Sequence, residues 1–246
     1  MPVKRRHRRL FTMLDITAVG LTKDFGRTRA VDDVSFELRP GRVIGFLGPN
    51  GSGKTTTLRM LLGLVRPSAG RALIGGRPYA ELPRPATQVG ALLETGSLDR
   101  DRTATNHLRA LALERGVRRE RVAEVLALVD LVDAADRRVR GYSLGMRQRL
   151  CLAGALLADP QVVILDEPTN GLDPAGIRWL RELLRDLAAR GRTVVLSSHL
   201  LAEVAQTVDE VIILDRGQLL AHRPISQIPS LEQFFLDLTS AQAVQP

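Results

Sequence analysis

The chain has a single cysteine, Cys151, among 246 residues, so it cannot close an internal disulfide, and a secreted disulfide scaffold is excluded. Cys151 sits in the apolar run 150–157 and reads as a buried structural thiol. Aromatic residues are 4% of the chain, with two tyrosines and one tryptophan, which leaves little material for stacking nucleic-acid bases. No apolar run approaches the ~20 residues of a membrane-spanning helix. No signal-peptide core follows the basic start, because the stretch after Arg9 is broken at Asp15. These absences place the chain in the cytoplasm. Lysine occurs only at Lys4, Lys23 and Lys54, and arginine supplies the rest of a net charge of +8. Much of that excess lies in residues 4–9 and the remainder is scattered over helical segments, so no nucleic-acid partner is expected. Residues 1–13 read as a basic, disordered leader, chemically able to touch anionic headgroups, with Met13 as an alternative start.

Against this background one motif stands out. Gly48-Pro49-Asn50-Gly51-Ser52-Gly53-Lys54-Thr55 matches G-x-x-x-x-G-K-[ST], the loop that wraps a polyphosphate in nucleotide hydrolases. Its glycines let successive N–H groups curl around phosphate oxygens. Lys54 can reach the terminal phosphates, and the Thr55 hydroxyl can ligate Mg²⁺. The apolar run 43–47 before it reads as a buried parallel strand. Residues 56–64 after it read as a helix with Leu58, Leu61 and Leu62 on one side. That order presents a helix N-terminus to the anion.

The rest of the chain alternates strands and helices. Residues 16–25 and 34–38 alternate as antiparallel strands, and 71–74 is a short strand before the Gly75-Gly76 turn. Residues 103–139 are helical by the spacing of Leu108, Leu111 and Ala112, then Val122, Val125, Leu126 and Val129, with Gly116 ending the first helix. A helix over 144–158 stops at Asp159-Pro160. Residues 162–165, 193–197 and 210–214 are buried strands. Asp173 is a helix N-cap with Pro174 at the first helical position; that helix ends near Gly191, and another spans 200–208. The expected fold is α/β: a phosphate-loop core with a mostly parallel sheet, an N-terminal antiparallel β subdomain and an inserted helical subdomain at about 95–158. One domain over 14–238 and a flexible tail over 239–246 are expected, with residues 231–238 apolar on one side. His107 and His222 are expected to be exposed, and Trp179 to pack.

Asp166 and Glu167 end the strand at 162–165. Such a strand delivers carboxylates to the sheet edge where α/β folds bind ligands. Asp166 is placed to hold Mg²⁺, and Glu167, one residue on, to activate water beside a γ-phosphate. Alone, an acidic pair after a strand reads equally as a solvated turn; beside the glycine loop it does not.

In combination these motifs resemble the ATP-binding subunit of an ATP-binding-cassette (ABC) transporter over about residues 14–236. Residues 48–55 match its Walker A loop and 162–167 its Walker B strand. Tyr142-Ser143-Leu144-Gly145-Met146-Arg147-Gln148-Arg149 occupies the place of the family signature, usually L-S-G-G-Q, Asn170-Gly171-Leu172-Asp173 resembles the D-loop, and His199 the switch histidine. Phe25 stands where an aromatic ring usually stacks on adenine. The resemblance implies that Gly48 to Thr56 hold ATP, that Thr55 and Asp166 hold Mg²⁺, and that Glu167, His199 and Lys54 carry catalysis. It also implies a head-to-tail pair of subunits, identical or paralogous. Each ATP would lie between the loop of one and Ser143, Gly145 and Asp173 of the other. The second implied partner is an integral membrane permease, which would hold this subunit at the inner face of the membrane. Its coupling helix would dock around Glu94 to Arg102.

The sequence departs from the family at Leu144, Met146 and Glu94, the last standing where glutamine is general. A glutamate there can still ligate Mg²⁺. These departures, with Asn170-Gly171, resemble the branch serving drug and antibiotic-resistance exporters. The fold is shared by importer subunits and by soluble ABC ATPases acting on ribosomes or DNA. The soluble factors usually carry two cassettes or a long coiled coil, and this chain has neither. Bland roles stand beside the functional ones: core packing for Phe25, a surface position for His199, capping alone for Asp173.

Overall fold

A computed structural model describes residues 13–93 and 98–243. Three strands, β1 (Ile16–Phe25), β2 (Thr28–Leu38) and β4 (Ala69–Ile74), form an antiparallel sheet in the order β2-β1-β4. The larger sheet takes β3 (Val43–Leu47), β5 (Val89–Leu92), β6 (Val162–Leu165), β7 (Thr193–Ser197), β8 (Glu210–Asp215) and β9 (Gln218–Pro224) in the order β5-β6-β7-β3-β8-β9. All its neighbours pair in parallel except the last, where β9 runs back along β8. Every residue of β3, β6 and β7 is buried. This is why these strands read as unbroken apolar runs: both faces of a parallel sheet are covered.

Eight helices do the covering among the described residues: α1 (Lys54–Leu61), α2 (Pro85–Gln88), α3 (Ala104–Glu114), α4 (Arg121–Leu128), α5 (Leu144–Leu156), α6 (Pro174–Ala189), α7 (Leu201–Ala205) and α8 (Leu231–Ala243). One core packs the antiparallel sheet and α1 onto the larger sheet through Ile16, Leu21, Leu38, Phe46, Leu58 and Leu61, with Phe36 edge-on to Phe46 at 5.4 Å. A second core lies on the opposite face, where α6 and α8 bring Leu184 and Leu231 onto Val163, Leu196 and Ile213. The third is internal to α3, α4 and α5, which are inserted between the adjacent strands β5 and β6; Leu108, Val125, Val129, Val139 and Leu150 fill it. The insert therefore carries its own apolar burial, worth about 1.5–3 kcal/mol for each large side chain removed from water.

Several boundaries differ from the sequence expectations. Helix α1 begins inside the glycine loop, at Lys54, and stops at Leu61 before Gly63, whose φ is +66°. Residues 103–139 are not helical throughout: α4 gives way to two short 3₁₀ turns, Val132–Ala134 and Val139–Gly141. Helix α5 ends at Leu156, and α7 spans only five residues. Strand β9 has no sequence-based counterpart. It is launched by a turn in which Arg216 and Gly217 both have positive φ, +47° and +81°, as a two-residue hairpin of right-handed twist demands. Helix α8 continues through residues 239–243, which the sequence suggests to be a loose tail. His107 and His222 are half-buried rather than exposed: burial lowers the His107 pKa, and His222 Nε2 lies 3.0 Å from Glu210 Oε2. Phe25 is 50% exposed and so does not belong to the core. Trp179 packs as expected, beneath the Arg149 guanidinium at 4.3 Å.

Candidate functional site

The glycine loop, residues 48–53, leaves β3 and enters α1. The N–H groups of Lys54, Thr55 and Thr56 lie in the first turn of α1, where no intrahelical acceptor exists for them; the first such bond runs from Thr57 N to Gly53 O at 2.8 Å. Gly53 has φ +100°, and a Cβ there would press on the Ala30 carbonyl of β2. Two different parts of the fold brace the loop. Ser52 O accepts from Gly217 N (3.1 Å), in the turn before β9, and Gly217 O accepts from Asp32 N (2.8 Å), on β2. Within the loop Ser52 N donates to Pro49 O at 3.2 Å. Ser52 is buried and its hydroxyl has no hydrogen-bond partner among the described residues. Asn50 and Gly51 are exposed at the mouth. N–H donors at a helix N-terminus suit a polyphosphate.

Lys54 is 7% exposed, and its ammonium donates to Gly48 O (2.7 Å) and Pro49 O (3.0 Å). Burial lowers its pKa, and the nearby carboxylates of Glu167 and Asp166 oppose that shift. A polyphosphate would supply the countercharge that this desolvated cation lacks.

The acids arrive from β6. Thr55 Oγ1 donates to Asp166 Oδ2 at 2.8 Å, which joins the two residues expected to hold Mg²⁺. A hydroxyl and a carboxylate are the hard oxygen donors that Mg²⁺ takes alongside substrate phosphates. Among the described residues no group of three or more His, Cys, Asp or Glu gathers to hold a metal ion by itself. The Thr55–Asp166 pair fits a hard cation that shares its shell with a nucleotide. Asp166 is 8% exposed. Its other oxygen, Oδ1, accepts from Ser197 Oγ, which in turn accepts from Glu167 N at 2.9 Å. Glu167 has φ +49°, a conformation that costs a non-glycine residue energy and that its surroundings must hold in place. Its Oε2 lies 2.8 Å from His199 Nδ1, and His199 is largely exposed. Lys54, Thr55, Asp166, Glu167 and His199 thus meet at the carboxyl edge of the larger sheet.

A second group lies at the start of α5. Ser143 caps that helix, its Oγ accepting from Met146 N at 3.1 Å. Gly145 abuts the Gly171 carbonyl, and the Leu144 side chain lies over Gly171, whose φ is +78°. Asp173 caps α6 through Gly176 N at 2.7 Å. Among the described residues no hydrogen bond or ion pair joins Ser143, Gly145 or Asp173 to the glycine loop of the same chain. Phe25 ends β1 beside the hairpin turn, with the Lys23 ammonium 4.9 Å above its ring. Glu94 lies outside the described residues.

Two residues at this site have no assigned role in the sequence-based expectations, although Gln148 lies in the signature segment 142–149 and Ser197 ends the strand at 193–197. Ser197 bridges Asp166 and Glu167, and it does so because β6 and β7 are parallel neighbours with Leu165 paired to Leu196. Gln148, 3% exposed, reaches from α5 to the Pro168 carbonyl at 3.0 Å and the Glu167 carbonyl at 3.4 Å. Ser197 left a faint signal, a pair of hydroxyl residues ending a buried strand. Gln148 stands in the signature segment, but nothing local indicates that its amide reaches residues 167–168.

Comparison with known proteins identifies the family. The family described as ABC transporter matches residues 31–170. Among similar proteins is the bacitracin transport ATP-binding protein of Bacillus licheniformis, 39% identical over 90% of this chain and 74% of that protein. Another is a Nod factor export ATP-binding protein of Ralstonia nicotianae, 39% identical over 84% of this chain and 66% of that protein. Among solved structures, an ATP-binding subunit of an ABC transporter superposes with a TM-score of 0.83 at 28% identity, covering 91% of this chain and 99% of the other. The chain belongs to the ABC transporter family, as a domain that binds and hydrolyses ATP.

Proposed function

We propose that this chain is the ATPase subunit of an exporter, driving a small molecule such as a drug, antibiotic or lipid-like compound through a separate membrane permease. Relatives named for bacitracin transport and Nod factor export support that reading. Among the described residues no helix is long and apolar enough to cross a membrane; that relatives are named as the ATP-binding proteins of transporters supports a separate pore-forming partner. The permease docks around Glu94 to Arg102, and through it the subunit sits on the inner face of the membrane. One observation carries the chemical part: Glu167, held at positive φ, sets its carboxylate against His199 beside the Thr55–Asp166 pair.

In the mechanism we assign, Lys54 and the N–H groups of residues 48–56 bind the β- and γ-phosphates, and Phe25 stacks on the adenine. Thr55 and Asp166 hold Mg²⁺, which when bound neutralises phosphate charge. Glu167 accepts a proton from the attacking water. His199, whose Nδ1 lies 2.8 Å from Glu167 Oε2, contacts the γ-phosphate and supports the transition state. Positioning and charge neutralisation are the main demands of phosphoryl transfer. Ser143, Gly145 and Asp173, at the starts of α5 and α6, serve the ATP of a facing subunit in a two-fold, head-to-tail pair.

The test is Glu167→Gln. Loss of the general base is expected to lower turnover by about 10²–10⁴-fold. ATP binding should persist, and an ATP-dependent dimer should accumulate on size-exclusion chromatography. Hydrolysis at the parental rate by this variant would remove the assignment of Glu167.

A further inference from the structure

We propose that Gln148 is the positioning residue of Glu167, and that through it helix α5 ties the signature of one reaction site to the general base of the other. This inference rests on the paired-subunit reading above. Glu167 sits at φ +49°, so its backbone must be clamped from outside. Its N–H is clamped by Ser197 Oγ at 2.9 Å. Its carbonyl takes Asn170 N at 3.2 Å and Gln148 Nε2 at 3.4 Å, and the next carbonyl, of Pro168, takes the same Gln148 amide at 3.0 Å. Gln148 is the clamp that comes from a different subdomain. It is buried, and its side-chain carbonyl has no hydrogen-bond partner among the described residues. A polar group in that position is costly unless its amide bonds are made.

Gln148 lies five residues after Ser143 on α5, little more than one helical turn. The start of the same helix rests on the chain that follows Glu167: Leu144 covers Gly171, and Gly145 meets the Gly171 carbonyl. Residues 143–148 and 167–171 are therefore packed as one body. In the paired arrangement Ser143 faces the triphosphate held by the partner, while Glu167 of the same chain serves its own. A shift of α5 on engaging the partner's γ-phosphate is transmitted by the Gln148 amide to the backbone of Glu167.

The test is Gln148→Met, which keeps the length and bulk of the side chain and removes the amide donor. Three readings are taken on the full chain: steady-state ATPase, the thermal midpoint, and ATP-driven dimerisation in a Glu167→Gln background. The expected result is a kcat lowered at least tenfold with KM for ATP within about twofold, because a base displaced by a fraction of an ångström loses rate but not nucleotide contacts. The dimer should still form, since Ser143 is untouched. A parental kcat in a folded Gln148→Met protein would overturn the proposal. So would loss of dimerisation in parallel with kcat, which would place the defect at the signature and not at the base. Gln148→Asn, which retracts the same amide by one methylene, is read by the same criteria if the methionine variant does not fold. Parental turnover in Glu167→Gln alone would instead refute the base assignment, whatever Gln148 does.

Discussion

Ser197→Ala deletes one oxygen from a side chain that is fully buried at the end of β7. That oxygen makes two bonds: it donates to Asp166 Oδ1 and accepts from Glu167 N at 2.9 Å. The first is a hydrogen bond to a carboxylate, worth about 1.5–3 kcal/mol; the second is a neutral bond worth about 0.5–1.5 kcal/mol. A loss of roughly 2–4.5 kcal/mol follows, a large part of the ~5–15 kcal/mol that holds a typical domain. For a chain of this size each kcal/mol moves the thermal midpoint by about 2 °C, so the variant should melt roughly 4–9 °C lower. Activity should fall as well. Asp166 loses one of its two anchors, and Glu167 loses the acceptor that holds its N–H. A displacement of about 1 Å in such a group costs on the order of 10²-fold in rate. Unfolding can be followed by the fluorescence of the single tryptophan, Trp179, and turnover by phosphate release. A midpoint within 1 °C of the parent together with a parental kcat would show that the bridging hydroxyl neither stabilises nor aligns the acids.

Two further outcomes are expected. Burial pushes the Cys151 thiol from its ordinary 9.0 up to about 11, so a thiol reagent at pH 8.5 should label the native chain far more slowly than the urea-unfolded chain. Because folding favours the neutral thiol, this contribution is complete below pH 9.0 and is lost as pH rises through about 11; urea midpoints should fall over that window, and less so in Cys151→Ser. Gly171→Ala would place a methyl group into the Leu144 side chain at φ +78° and should cost about 1–3 kcal/mol. Adding Leu144→Ala should recover part of that loss and of the ATPase rate, and strict additivity in the double-mutant cycle would refute the contact.

What the sequence revealed is what short stretches of chain decide locally. The glycine loop is legible because its chemistry resides in its own backbone and in Lys54 and Thr55. The N-cap at Asp173 is legible because cap, proline and apolar stripe follow one another in sequence. Asp166 and Glu167 are legible because an apolar strand ends on them. Ser197 and Gln148 are not, since they meet those acids only after β7 has been laid beside β6 and α5 folded back over residues 167–168, from 31 and 19 positions away for the Ser197–Asp166 and Gln148–Glu167 contacts. Strand order has no local signature. Strand β9 escaped notice for a related reason: its turn uses Arg216 in a left-handed conformation, where a glycine or asparagine would have announced it.

The bracing of the glycine loop has a consequence for how nucleotide is captured. Gly217 ties Ser52 to the hairpin of the larger sheet and, through Asp32, to the antiparallel sheet, so the cradle acquires its shape while the chain folds. Little backbone freedom is left to surrender when a triphosphate arrives, and affinity is then governed by charge and desolvation rather than by ordering.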